Sequence, residues 1–197
     1  TVPSPYGFYI ENDKEVLDLF KLIFPKDVIT IQAIIFPEKY DDNFSRYIMI
    51  ASMVEFEKQV LSDRKFKELS KFLVKQQYTL LNKVKGDIDK VLETGIKNFK
   101  DKYDMDVSGS IDETTSLGLF INKDNALSLA VIMEGQFSFD GDVDSTPMIA
   151  TISYLNLKNR FVVAYVYNEY KDNKDLVWVK SKTRELVDLL LQANNGN

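Results

Sequence analysis

One stretch, Asp63 to Tyr103, constrains the fold more than any other part of the chain. Phe66, Leu69, Leu73, Leu80, Val84, Ile88, Val91, Leu92, Ile96, Phe99 and Tyr103 recur at three- and four-residue steps, and lysines fill the other face. That periodicity specifies an amphipathic helix. As one rod, at about 1.5 Å per residue, it would be about 60 Å long. A compact domain of this size is only about 40 Å across. A break removes the conflict, and Gly86-Asp87 supplies one. Gly suits a left-handed C-cap, Asp caps a following helix, and Lys83 and Lys85 suit a last turn. The expectation is therefore two helices, 63–84 and 87–103.

The remaining patterns are shorter. Phe8-Tyr9-Ile10 reads as a short strand, and Asn12 or Asp13 caps a helix carrying Val16, Leu17, Leu19, Phe20 and Ile23, stopped at Pro25. Val28–Phe36 and Arg46–Phe56 read as two strands joined by the polar stretch Glu38–Asn43. Residues 104–113 read as an acidic linker. Two hairpins follow, Leu117–Asn122 with Ala126–Phe137, and Met148–Leu157 with Arg160–Asn168. Lys158-Asn159 fits a type I′ turn. The strand from Arg160 is apolar on both faces, which predicts a central position. Asp172 or Asn173 caps a final helix with Leu176, Val179, Leu186, Val187, Leu190 and Leu191 facing inward, and the end Asn194–Asn197 is expected to fray. Six main strands linked as hairpins, with helices grouped between and after them, predict an α+β fold: an antiparallel sheet covered by helices, sandwich-like, in a single domain over 1–197.

Function is bounded mainly by what is missing. The 197 residues include no Cys and no His. Thiol nucleophiles, Cys/His zinc sites and Ser-His-Asp triads are thereby excluded. Any metal would take oxygen ligands, and any general acid or base would be Asp, Glu, Lys or Tyr. There is no GxGxxG and no GxxxxGK[ST] for phosphates. No run of about 20 apolar residues predicts a membrane-spanning helix. The start at Thr1 fits a cleaved signal peptide or an artificial boundary, and with the lack of Cys it is compatible with a periplasmic or secreted bacterial protein.

The net charge of −5 argues against a nucleic-acid binder. The charge is unevenly placed. Residues 63–102 hold 11 Lys/Arg and 6 Asp/Glu, while 104–144 hold 9 Asp/Glu and one Lys. A solvated helix face beside acidic loops accounts for this, and the functional reading is a basic stripe for an anionic surface or partner.

Four sets of residues are candidate sites. Asp140, Asp142 and Asp144 alternate as calcium ligands do, but Ser145 and Thr151 stand where an EF-hand needs Gly and Glu, so a turn is the plainer reading. Ser62-Asp63-Arg64-Lys65 matches S-x-x-K without its companion motifs and reads as a helix cap at Ser62. Glu134, in an apolar strand, is the best single candidate for a carboxylate acid or base, with Glu113 as a second, although alternation puts Glu134 on the solvent face. Trp178, Tyr165 and Tyr167 read as core, Tyr154 shares their strand pair, and Tyr170 reads as exposed. The sequon Asn43-Phe44-Ser45 is also present. None of these is assigned a catalytic, cofactor-binding or metal-binding role.

The segment 148–193 runs strand, tight turn, strand through Ala164-Tyr165-Val166-Tyr167, then helix from Asp175-Leu176-Val177-Trp178-Val179. In this order it resembles the close of PsbP/Mog1-like α/β/α sandwiches and of uncharacterised exported bacterial proteins. The resemblance implies a binding or assembly module. The leading expectation is a non-enzymatic binding domain of a bacterial envelope or secreted protein. The alternatives are a carboxylate-dependent hydrolase or calcium-type protein using Glu134, Glu113 or the Asp140–Asp144 loop, and an anionic-partner binder using the lysines of 63–102.

Overall fold

The computed structural model describes the backbone of residues 2–24, 26–38, 45–104 and 106–195, and their side chains except at 77–91, 139 and 195. In chain order the elements are β1 Phe8–Ile10, α1 Lys14–Ile23, β2 Ile29–Pro37, β3 Arg46–Met53, α2 Val54–Glu57, α3 Asp63–Tyr103, β4 Val107–Lys123, β5 Ala126–Phe139, β6 Asp142–Asp144, β7 Met148–Leu157, β8 Arg160–Glu169 and α4 Asn173–Asn195. Every strand pairing is antiparallel, in the order β1-β2-β3-β8-β7-β5-β4, with β6 against β5. The sequon's Asn43 and Phe44, most of the polar stretch Glu38–Asn43, and Pro25 lie outside the described residues.

The α+β class with an antiparallel sheet holds: the six main strands and the short strand at Phe8–Ile10 are present, and the sheet gains β6, whose three residues are too short to show a period. β3 stops at Met53, because Val54–Glu57 form a helical turn. Asp13 caps α1 by accepting from the amides of Glu15 and Val16, and Ser62 caps α3 by accepting from Lys65. Lys158 and Asn159 both have positive φ (51° and 62°), the type I′ turn expected there.

β8 sits in the middle of the sheet and is covered on both faces. On one face Val179, Leu186, Val187 and Leu190 of α4 bury Ile48, Ile50, Leu155, Ala164 and Val166. On the other, Phe20 of α1 packs on Ile34, Phe36 and Met49, while Phe66 of α3 packs on Phe161 and Val163. The polar groups under α4 are paired. Thr183 donates to the Val179 carbonyl and accepts from Thr151, and Ser128 bonds Ser153 at 2.7 Å.

The expected break at Gly86 does not exist: α3 is a single helix of 41 residues. The premise that failed is compactness. Residues 107–113, expected as linker, belong to β4, which has 17 residues and at about 3.4 Å each spans about 58 Å. β4 therefore runs back along α3 for the whole of its length. Ion pairs of 3.2 Å join the two at either end, Lys67 to Asp124 and Lys100 to Asp106. β7 begins opposite Met133, so β4 and β5 continue beyond it as an arm capped by β6. The hairpin closes tightly there. A Cβ on Gly135 would lie 2.2 Å from the Ser110 carbonyl oxygen, so no larger residue fits. Near its far end α3 meets α1, where Asn98 Nδ2 donates to the Leu22 carbonyl at 2.9 Å.

Candidate functional site

The structure brings two of the sequence candidates together. Glu113 and Glu134 are direct cross-strand partners on the arm, so their Cβ atoms stand about 5 Å apart. Both side chains are exposed, and Glu113 accepts from Thr115 at 3.3 Å. Carboxylate catalysis needs a walled site that sets two different pKa values, and this pair lies on an open strand face. Glu134 points to solvent as alternation predicts.

The Asp140–Asp144 loop is a hairpin turn. Asp140 and Gly141 take positive φ, Asp140 accepts from the Asp106 amide, and Asp144 accepts from Thr146. Hydrogen bonds from the backbone amide and the side chain of Thr146 hold the Asp144 carboxyl below its ordinary range. Among the described residues no three acidic groups converge as a metal site. Ser62 is a cap, as read.

Trp178 is half-buried. Its ring packs against Phe8 at 6.2 Å, with the Arg46 guanidinium 5.0 Å from its centroid. Tyr47, Tyr165 and Tyr167 stack along β3 and β8, with Tyr47 and Tyr167 centroids 4.6 Å apart. Burial raises the pKa of all three phenols. Tyr154 also lies on that face, packed on Phe161. Tyr170, expected to be exposed, is half-buried against the core under α4, because its amide is tied back to the Pro147 carbonyl at 2.7 Å.

The lysine face becomes a site where α3 passes the β4–β5 turn. Lys67, Ser70, Lys71, Val74 and Lys75 from α3, with Asn122, Lys123 and Asp124 from the strand end, enclose an open cleft of about 470 Å³. Helical spacing puts Lys67, Lys71 and Lys75 in one row at four-residue steps. Two of the lysines are already engaged, Lys67 with Asp124 and Lys123 with Asp188 of α4 at 2.6 Å. Among the described residues Lys71 and Lys75 have no ion-pair or hydrogen-bond partner. Ser70 lies at the floor, only 9% exposed, and its hydroxyl is buried with no hydrogen-bond partner.

Comparison with protein families, with curated proteins and with solved structures finds no match. The site must therefore be read from its own chemistry.

A second cleft, of about 670 Å³, opens beside the C-terminal turn of α4. Ile50, Leu157, Val162 and Leu190 line its apolar part, and Glu57, Lys158 and Arg160 bring charge to it. Gln32 donates to Ser52, and Ser52 donates to Glu57 at 3.0 Å. Hydrogen bonds from Thr30 and Ser52 lower the Glu57 pKa, so the carboxylate is ionised and cannot serve as a general acid near neutral pH. Arg160 is tied to the Glu57 carbonyl. Asn194, expected to fray, sits on the last turn of α4, lines this cleft and donates to the Leu190 carbonyl.

Sequence reasoning found the lysine row but not the cleft. The missing signal was the fold-back of β4, which delivers Asn122 to Asp124 to the helix. The wall of the second cleft draws on β2, β3, α2, β7, β8 and α4, and no local pattern marks such a set.

Proposed function

We propose that this chain is a non-enzymatic binding or assembly domain of a bacterial envelope or secreted protein, and that it engages an anionic partner through the lysine row of α3. The observation that carries this reading is the basic cleft, which Lys71 and Lys75 line with no ion-pair or hydrogen-bond partner among the described residues. Four lysines and one aspartate line it, on a chain whose net charge is −5. Such a local field favours anions and steers their approach. The order β7, β8, α4 is the strand, strand, helix ending on which the resemblance to PsbP/Mog1-like modules rests, and that resemblance implies a binding role. Among the described residues, every carboxyl group with a resolved pKa shift is shifted downward, which suits fixed charges and not a proton donor.

Retention on a sulfonated cation exchanger at neutral pH tests this. An acidic protein with a functional basic face is held at low salt and elutes as salt screens the contact. The double variant Lys71→Glu/Lys75→Glu is expected in the flow-through. Flow-through of the parent protein, or an unchanged elution of the variant, would refute the reading.

A further inference from the structure

The sheet ends on a strand that stays open where it leaves the body of the molecule. We infer that the outer edge of β4, from Val107 to Ile111, receives an extended basic peptide as an additional strand. This surface is separate from the lysine row of α3 and does not depend on it.

β4 is the last strand of the sheet and pairs with β5 alone. The register fixes which of its backbone groups point outward. In an antiparallel ladder one residue turns both its N–H and its C=O toward the neighbouring strand, and the next turns both away. The Asp140 amide donates to the Asp106 carbonyl at 2.8 Å, so Asp106, and with it Ser108 and Ser110, turn inward to β5. Val107 and Gly109 turn outward. Among the described residues neither makes a backbone hydrogen bond across that edge. The side chains leave the approach open. Val107 and Ile111 are buried, Gly109 has none, and Ser108 and Ser110 are small and exposed.

Proteins commonly close a sheet edge with bulges, with proline or lysine, or by making the edge strand very short. Elsewhere this sheet does so. β1, at its other end, has three residues. Further along β4 the register shifts between Ser116 and Leu119 and again between Leu119 and Ile121, and Gly118 takes a φ of 81°. From Val107 to Ile111 the register runs without a shift, and the sequence there holds no proline and no lysine. The charge around this edge names the occupant. Asp104, Asp106, Asp112 and Glu113 flank it, all exposed. A second copy paired antiparallel about Gly109 would set Asp112 of each chain against Asp106 of the other, a like-charge contact. A strand carrying Lys or Arg meets the same carboxylates with opposite charge. Backbone bonds then supply the attachment, and alternate side chains the selectivity.

The test uses the full chain and a defined probe, an eight-residue peptide of alternating lysine and valine with blocked ends. Amide hydrogen exchange read by NMR reports on each residue of the edge. In the free protein the Val107 and Gly109 amides should exchange faster than those of Ser108 and Ser110. Saturating peptide should slow Val107 and Gly109 about tenfold or more, with a smaller change at Ser108 and Ser110. A twin peptide N-methylated at every residue keeps the charge and the side chains but has no backbone donor, and it should not bind. A twin of alternating glutamate and valine should not bind either. Asp112→Asn/Glu113→Gln, at two exposed positions, should weaken binding about tenfold, the scale of two surface ion pairs. Four results would each overturn the inference. Val107 and Gly109 may not be as slow as their neighbours in the free protein, since the edge would then already be covered. The lysine peptide must protect them. The N-methylated twin must not bind like the lysine peptide, since the contact would then be charge alone. The same amides must not slow with rising protein concentration in the absence of peptide, since a second copy would then hold the edge. Retention on the exchanger reads the lysine row separately and is unaffected by any of these results.

Discussion

The body of the sheet and the arm are made of the same strand pair, yet they are stabilised differently. In the body, β5 lies between β4 and β7, and residues such as Leu127, Ala130 and Val131 are buried. In the arm the same strand has lost β7. There Val107 and Ile111 are buried, but Ser108, Ser110, Asp112, Glu113 and Glu134 face solvent. The body is held by packing on two faces, and the arm by one helix laid along it. Local stability should therefore fall from the body to the arm, even though the backbone hydrogen bonding is continuous.

Core truncation should expose this difference most strongly. Leu186→Ala in the body should cost about 3–5 kcal/mol, whereas Ile111→Ala in the arm should cost about 2 kcal/mol or less, because its site can collapse toward water. Denaturant midpoints measure both, and equal losses would mean that the arm is as tightly packed as the body.

Alkaline unfolding probes the body through Tyr47, Tyr165 and Tyr167. Their pKa values are raised in the fold, so they favour the folded state below about pH 10, the unfolded phenol value, and that contribution is lost as pH rises further. Each such phenol can remove up to about 1.4 kcal/mol per pH unit above that point. The triple change to Phe should move alkaline unfolding upward, read by tyrosinate absorbance and circular dichroism together. An unchanged midpoint would place the three phenols in water.

Gly86→Ala tests the continuity of α3 through a change of sign. In an unbroken helix the substitution stabilises by about 0.5–1 kcal/mol. At a left-handed cap it would destabilise. A lower melting temperature would restore the broken helix.

The smallest effect belongs to the clamps. Asp106→Asn removes the partner of Lys100 on an exposed surface and should cost at most a few tenths of a kcal/mol globally. It should still speed hydrogen exchange at the start of β4 more than anywhere in the body. Uniform exchange rates would show that the ion pair does not hold the arm.

Much of this fold was legible in the chain. The caps Asp13 and Ser62, the Lys158-Asn159 turn and the two-faced apolar run of β8 are local devices, and local devices leave local patterns. The continuity of α3 was obscured by an assumption about overall shape, because Gly86 is tolerated in a helix at modest cost. Residues 107–113 read as linker because only Val107 and Ile111 are buried, too sparse an alternation to stand out among acidic neighbours. The pairing of Glu113 with Glu134 depends on the register of a long hairpin with several bulges, which the turn alone does not set. The basic cleft depends on where the hairpin ends relative to the helix, a long-range fact. Ser70 had no signal at all, since an orphaned hydroxyl is defined by its surroundings.

The matched span of α3 and β4 has a consequence for how this protein can change. Helix and strand advance at different rates, about 1.5 Å against 3.4 Å per residue. Two more helical turns, seven residues, lengthen α3 by about 10.5 Å, and only three further residues in each of β4 and β5 restore the alignment. An odd increment in the strands inverts which side chains face the helix, so the insertion must also include a bulge. Length variants of this architecture should therefore appear as coordinated insertions at three places, in a ratio close to seven to three. The arm works as a vernier, in which two scales of different pitch coincide only at certain settings.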